Sequence, residues 1–229
     1  MIKAMRAFGC APDIEHEEFL RRWEEHAALV LAIPGVRGYV RSVKVGRPEQ
    51  STAPFDGYSA IWFDDEEALA RADATPEGRA ATVHEEAFVD PSSLRTITAF
   101  ELVQRELPVA PEAVKLVFFF RRRVGLAPEV FREHWTHVHA PLVLEYILDL
   151  RRFVQNYAAD SCYVDGREPD IDGIAECYMD GLSALDETEQ SPEHDLVRSD
   201  EPNFVDVNTV TYMVAAEHVH LAPAPRLAP

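Results

Sequence analysis

Two stretches of this chain read as one: Phe55-Asp56-Gly57-Tyr58-Ser59-Ala60-Ile61-Trp62-Phe63-Asp64-Asp65 and Ile171-Asp172-Gly173-Ile174-Ala175-Glu176-Cys177-Tyr178-Met179-Asp180-Gly181. Their surroundings stay in step. Thr75-Pro76-Glu77 and Ser191-Pro192-Glu193 follow at the same distance, as do Phe88-Val89-Asp90 and Phe204-Val205-Asp206. Upstream, Phe19 and Trp23 answer Phe131 and Trp135, and Val36-Arg37-Gly38-Tyr39-Val40 answers Leu150-Arg151-Arg152-Phe153-Val154. Chance matches do not hold their spacing over such a distance, so the chain is a head-to-tail duplication. The repeats are placed at 1–106 and 113–218. The joint, 107–112, carries Leu107-Pro108-Val109-Ala110-Pro111, whose prolines continue neither helix nor sheet. The rest, 219–229, is a Pro-rich tail expected to be disordered.

Within each repeat the order is strand, helix, strand, strand, helix, strand. Val114–Phe120 is a strongly apolar strand, with a weaker counterpart at Ile2–Phe8. Pro128 opens a helix whose stripe is predicted to be Phe131, Trp135, Val138, Leu142 and Tyr146. Pro141 should kink it near His137–Ala140. Arg151–Ala158, Ile171–Met179 and Val207–Val214 read as strands, with a second helix from Pro192. This order gives an α+β fold, an antiparallel sheet with helices on one face. The bare faces of two such sheets, packed together, would enclose a cavity, predicted here to be the binding site.

The chain has 229 residues and a net charge of −18. That charge disfavours nucleic acid and anionic membrane surfaces. No run of about 18 apolar residues exists, and the start lacks a signal-peptide pattern. The three cysteines, Cys10, Cys162 and Cys177, read as thiols of a reducing compartment, hence a cytoplasmic protein. Arg121-Arg122-Arg123 reads as a solvated strand end. Asp56-Gly57 and Asp172-Gly173 read as turn signals.

Several stretches of the second repeat resemble the EthD family: Lys115–Arg122, Gly125–Phe131, Trp135-Thr136-His137-Val138-His139-Ala140-Pro141-Leu142-Val143, Arg152–Asn156 and Asp172–Glu176. The match runs over about 113–218, and more loosely over 1–106. The resemblance implies two ferredoxin-like repeats forming a dimeric α+β barrel, closed within one chain as a pseudo-dimer or shared in a homodimer. EthD-like proteins are similar to polyketide dehydratases and decarboxylases and to muconolactone-type isomerases. The superfold also holds monooxygenases and haem enzymes. The leading expectation is therefore a cofactor-independent lyase, dehydratase or isomerase moving a proton on a small apolar oxygenated molecule. The alternatives are a non-catalytic binding or accessory protein of an oxidative pathway, and a haem- or oxygen-dependent oxidoreductase.

His139, in the family's His-Ala-Pro-Leu motif, is the candidate catalytic base. Period-two alternation turns Ala175, Cys177 and Met179 toward the helices and Ile174, Glu176 and Tyr178 the other way. Glu176 is then the expected catalytic partner, unless it pairs with Arg151 or Arg152. Trp135, Tyr146, Gln155, Tyr157 and Tyr178 are expected to shape the substrate pocket, with His26, Tyr58 and Trp62 from the first repeat. Related proteins often carry a histidine where Tyr157 stands, so a two-histidine chemistry is disfavoured. His26 lies three residues after Trp23, whereas His139 lies four after Trp135, and the motif's proline is absent. The first repeat is accordingly expected to serve as a wall. His134, His137 and His139 do not share one helix face, so no metal site is expected.

Overall fold

The computed structural model describes residues 1–223. It divides into two compact units. The first comprises Met1–Lys44, Pro54–Phe100 and the described residues from Glu217 on; the second comprises Val45–Ala53 and Glu101–Ala216.

In the first repeat, β1 (Ile2–Phe8), α1 (His16–Ala32), β2 (Gly38–Lys44), β3 (Gly57–Phe63), α2 (Glu66–Asp73), α3 (Pro76–Glu86) and β4 (Arg95–Glu106) follow one another. In the second, β5 (Val114–Phe120), α4 (Pro128–His134), a π-helical turn (Trp135–His139), α5 (Ala140–Tyr146), β6 (Arg152–Ala158), β7 (Gly173–Met179), α6 (Leu182–Glu189), α7 (Pro192–Asp200) and β8 (Thr211–Leu221) follow. The strand orders are β4-β1-β3-β2 and β8-β5-β7-β6, antiparallel where registers run Met5↔Ala60, Met5↔Ile97, Val117↔Glu176 and Val117↔Met213. Two ferredoxin-like α+β repeats are thus present. The proline-opened helices start as their sequences require: Thr75 and Ser191 cap α3 and α7, accepting from the amides of Gly78 and His194.

The units do not coincide with the repeats. Val45–Ala53 packs in the second unit, where the Val45 and Thr52 amides donate to the Val214 and Tyr212 carbonyls at 2.9 and 2.8 Å. This covers what would be an open strand edge. The last strand also corrects the tail: β8 runs to Leu221, so order extends past residue 219. The remainder of the expected disordered tail, 224–229, lies outside the described residues. Among those residues, no helix is long and apolar enough to cross a membrane.

The Asp-Gly pairs are structural, with a mechanism beyond a turn. Asp56 Oδ2 accepts from the Cys10 amide at 2.8 Å, and Asp172 Oδ2 accepts from the Arg122 amide at 3.1 Å. The glycine beside each leaves room for a tryptophan. A Cβ on Gly57 would stand 2.5 Å from Trp23 Cη2 and from the Ser42 carbonyl oxygen; one on Gly173 would stand 2.6 Å from Phe120 and 2.8 Å from Trp135.

Candidate active site

The helix of the second repeat explains the mismatch in histidine spacing. In the first repeat α1 is a regular 17-residue α-helix, and His26 follows Trp23 by three residues. In the second, one more residue separates Trp135 from His139, and the helix takes it up as a π turn, with the Ala140 amide donating to the Trp135 carbonyl. Pro141 then falls in the first turn of α5, where its missing N–H costs little. The widened turn re-phases everything after it. Val138 is 46% exposed, while His139, Val143 and Ile147 are buried beside Phe131 and Trp135. The predicted stripe is therefore correct up to Trp135 and one residue early beyond it. The kink expected near His137–Ala140 takes the form of this π turn, a feature enriched at functional sites.

The turn is braced from the sheet. Gln155 Nε2 donates to the Trp135 carbonyl at 3.0 Å, and its Oε1 accepts from Gln104 Nε2 at 2.7 Å and from the Tyr157 hydroxyl. The Tyr157 oxygen also lies 2.7 Å from Thr136 Oγ1. Burial pushes the Tyr157 phenol up, so it stays a protonated donor. Gln155 and Tyr157, both named as substrate-binding candidates, thus hold the helix that carries His139.

His139 is buried and meets a residue that no sequence pattern marked. Its Nδ1 lies 3.1 Å from Asp200 Oδ2 at the end of α7. His134 Nε2 reaches the same carboxylate at 3.0 and 3.1 Å, and Asn203 Nδ2 donates to it at 2.9 Å. The Phe204 ring packs against both imidazoles, at centroid distances of 4.8 and 5.1 Å. Burial lowers the His139 pKa, and the Asp200 carboxylate only partly offsets it. Burial alone would raise Asp200; the bonds from Asn203, His134 and His139 outweigh it and hold the carboxyl below its usual range. An ionised Asp200 accepting from Nδ1–H leaves the Nε2 lone pair of a neutral imidazole as a base.

That imidazole borders an apolar cavity of about 90 Å³, whose wall includes Phe118, Trp135, Ala175, Cys177, Val197 and Phe204. The cavity lies under the helices, opposite the bare sheet face where sequence reasoning put the binding site. The reason is the size of the side chains: Ala175 and Cys177 are short and leave a void below His139. The bare face of this sheet carries a polar cluster. Lys115 Nζ donates to Glu176 Oε1 at 2.9 Å and to the Tyr178 hydroxyl at 3.2 Å, and Asn156 Nδ2 donates to Glu176 Oε2 at 3.0 Å. Glu176 and Tyr178 are therefore on the predicted face, but the expected acid–base pair of His139 and Glu176 is not assembled. Of the two arginines considered for Glu176, Arg151 takes Asp180, while Arg152 contacts Glu106 and also feels the Glu176 charge. Tyr146 is half-buried at the core edge and absent from the cavity wall. Burial pushes the Cys177 thiol up to about 12, which makes it a poor nucleophile.

The first unit is not a plain wall. Tyr58 and Trp62 sit on its bare face, where Lys3 Nζ lies 4.7 Å above the Trp62 ring. His26 borders a separate cavity of about 240 Å³ on the helix side of that sheet. The plain helix and the π turn thus bring the two histidines to matching cavities despite the one-residue difference. Where Asp200 stands in the second repeat, the first has His84, stacked on His26 at 5.4 Å.

The model described as the EthD domain matches residues 11–92 and again 123–208, one match per repeat. The chain belongs to the EthD family. In both EthD repeats the histidine that borders the cavity, His26 or His139, lies inside the matched span. Among solved structures, an anthrone oxidase-like protein is similar over 99% of this chain and 95% of its own, with a TM-score of 0.65 and 14% identity. A variant of chlorite dismutase from Candidatus Nitrospira defluvii covers 94% of this chain and 90% of its own, with a TM-score of 0.54 and 12% identity. An ethyl tert-butyl ether D family protein from Bacillus halodurans is 24% identical over 46% of this chain and 99% of its own, with a TM-score of 0.38. These likenesses are of fold. Sequence comparison with curated proteins finds no significant match.

Proposed function

We propose that the second EthD repeat is a proton-transfer site for a small, largely apolar molecule carrying a carbonyl or phenolic oxygen. The observation that carries this reading is the buried His139–Asp200 pair bordering an apolar cavity. Asp200 fixes the tautomer and steadies the imidazolium that forms; His139 Nε2 takes a proton from carbon beside the oxygenated group. Trp135, Phe118 and Phe204 exclude water and orient the ring or chain. This chemistry serves a lyase, dehydratase or isomerase. The carbanion it makes can also be captured by dioxygen, a second reading favoured by the full-length likeness to an anthrone oxidase-like protein. The sparse, odd set of three cysteines supports an intracellular, reducing setting.

The test is a screen of small cyclic β-diketones and monocyclic phenols for enzyme-dependent deuterium uptake in D₂O, with oxygen consumption followed in parallel. Uptake that disappears in His139→Ala supports the base assignment. Oxygen consumption that disappears with it selects oxygenation. Turnover unchanged in His139→Ala sinks the assignment, and binding without turnover in the intact protein would favour a carrier role.

A further inference from the structure

The cavity of the first repeat has a wall of different chemistry. Its register places Ser59, Arg6 and Thr96 side by side across β3, β1 and β4. The equivalent row of the second repeat, across β7, β5 and β8, is Ala175, Phe118 and Tyr212. Polar groups thus replace apolar ones along the floor of the same architecture. At one side Arg6 Nε donates to Glu85 Oε1 at 3.1 Å, with a second contact from Nη2 to Oε2 at 2.5 Å. This pairing removes the net charge of both groups while leaving oxygen and guanidinium edges to hydrogen-bond. His26 is 6% exposed, borders the cavity, and its Nδ1 is buried without a hydrogen-bond partner. Burial, with His84 and Arg6 beside it, pushes this imidazole down to about 4, so at neutral pH it offers one donor and one acceptor. An unpaired buried polar atom carries a desolvation cost, which a ligand that bonds to it recovers.

We propose that the first repeat is a second, independent binding site, and that it takes a neutral polyhydroxylated small molecule held by His26, Ser59 and the Arg6–Glu85 pair. Hydroxyl groups match a wall of mixed donors and acceptors, in which the Arg6 guanidinium stands among the carboxylates of Glu85 and Asp73. A carboxylate would meet Glu85 and Asp73, and an apolar ring would strand the floor row. The cavity, about 240 Å³, accommodates a molecule of pentose or inositol size.

The experiment uses the full chain and three probes: myo-inositol, acetate and phenol. Binding is read from the His26 and His84 ring resonances by NMR. The proposal expects saturable shifts of both rings with myo-inositol, neither acetate nor phenol competing. The double variant Arg6→Phe/Ser59→Ala copies two of the three floor positions of the second repeat and should weaken inositol binding at least tenfold while admitting phenol. An unmoved His139 resonance shows that this variant still folds. His139→Ala should leave inositol binding unchanged, which separates this site from the proton-transfer reading. No saturable shift with inositol, preference for acetate or phenol in the natural chain, or inositol binding that survives the double variant each overturns the proposal.

Discussion

Replacing Asp200 by Asn removes one charge and keeps the shape. In the natural chain the carboxylate holds His139 Nδ1 at 3.1 Å and His134 Nε2 at 3.0 Å. A hydrogen bond to an ionised partner is worth about 1.5–3 kcal/mol, a neutral one about 0.5–1.5. The imidazolium of His139 therefore loses about 1–1.5 kcal/mol, roughly a tenfold fall in proton affinity. Burial already depresses that affinity, so the change moves it further in the same direction. The amide also loses its preference for Nδ1–H, since its nitrogen can donate to a deprotonated Nδ1. The fixed tautomer gives way to a mixture, and turnover should fall by about 10²–10⁴. The assay is a titration of the histidine ring nitrogens by long-range ¹H–¹⁵N correlation, which reads tautomer and protonation and needs no substrate. An Asp200→Asn chain whose His139 titrates as before, in the same tautomer, would refute the claim that Asp200 sets the state of this base.

Other expectations follow from the same geometry. Gly173→Ala should destabilise by about 1–3 kcal/mol through overpacking against Phe120 and Trp135. Gly57→Ala should cost more, because the Ser42 carbonyl, a backbone atom, also stands in the way; urea unfolding of the two variants gives the order, and equal costs would contradict it. Deleting Val138 should convert the π turn to plain helix and set Pro141 against the preceding turn, costing about 3 kcal/mol. Pro141→Ala in the deleted chain should restore most of that, since Ala28 holds this place in α1; a deletion unaffected by Pro141→Ala would show that the proline is not the obstacle. His26 has a folded pKa of about 4 against an ordinary 6.5, so it favours the folded state above 6.5 and withdraws that support as pH falls toward 4. The loss is about 3 kcal/mol. Unfolding free energies of the natural chain and His26→Gln, measured between pH 7 and 4, should converge as acid is added.

What the residues disclosed beforehand follows from the range of the forces involved. The duplication, the strands Ile2–Phe8 and Val114–Phe120 and the sorting of Ala175, Cys177 and Met179 from Glu176 rest on short-range periodicity, and they match the structure. The helix stripe failed after Trp135 because a 3.6-residue period cannot register an inserted residue. The Lys115 partner of Glu176 gave no signal because neighbours across a sheet are set by register. Lys115, next to it across β5 and β7, is 61 residues away in the chain. Asp200 gave no signal for the same reason. Aligning the repeats does set it opposite His84, and that unlike pair was the available hint. The cavity beside His139 gave no signal because alternation tells which side chains share a face, and voids depend on their sizes.

The π turn has a consequence for how relatives of this chain are compared. Length differences between related proteins are customarily assigned to loops, where they disturb nothing. Here the difference sits inside a helix, between a tryptophan and a histidine that both keep their places. A gap pushed into the neighbouring loop would set His26 against Val138, an exposed residue, and erase the correspondence between two cavity-lining histidines. Alignments of such repeats should therefore be allowed to open within this helix.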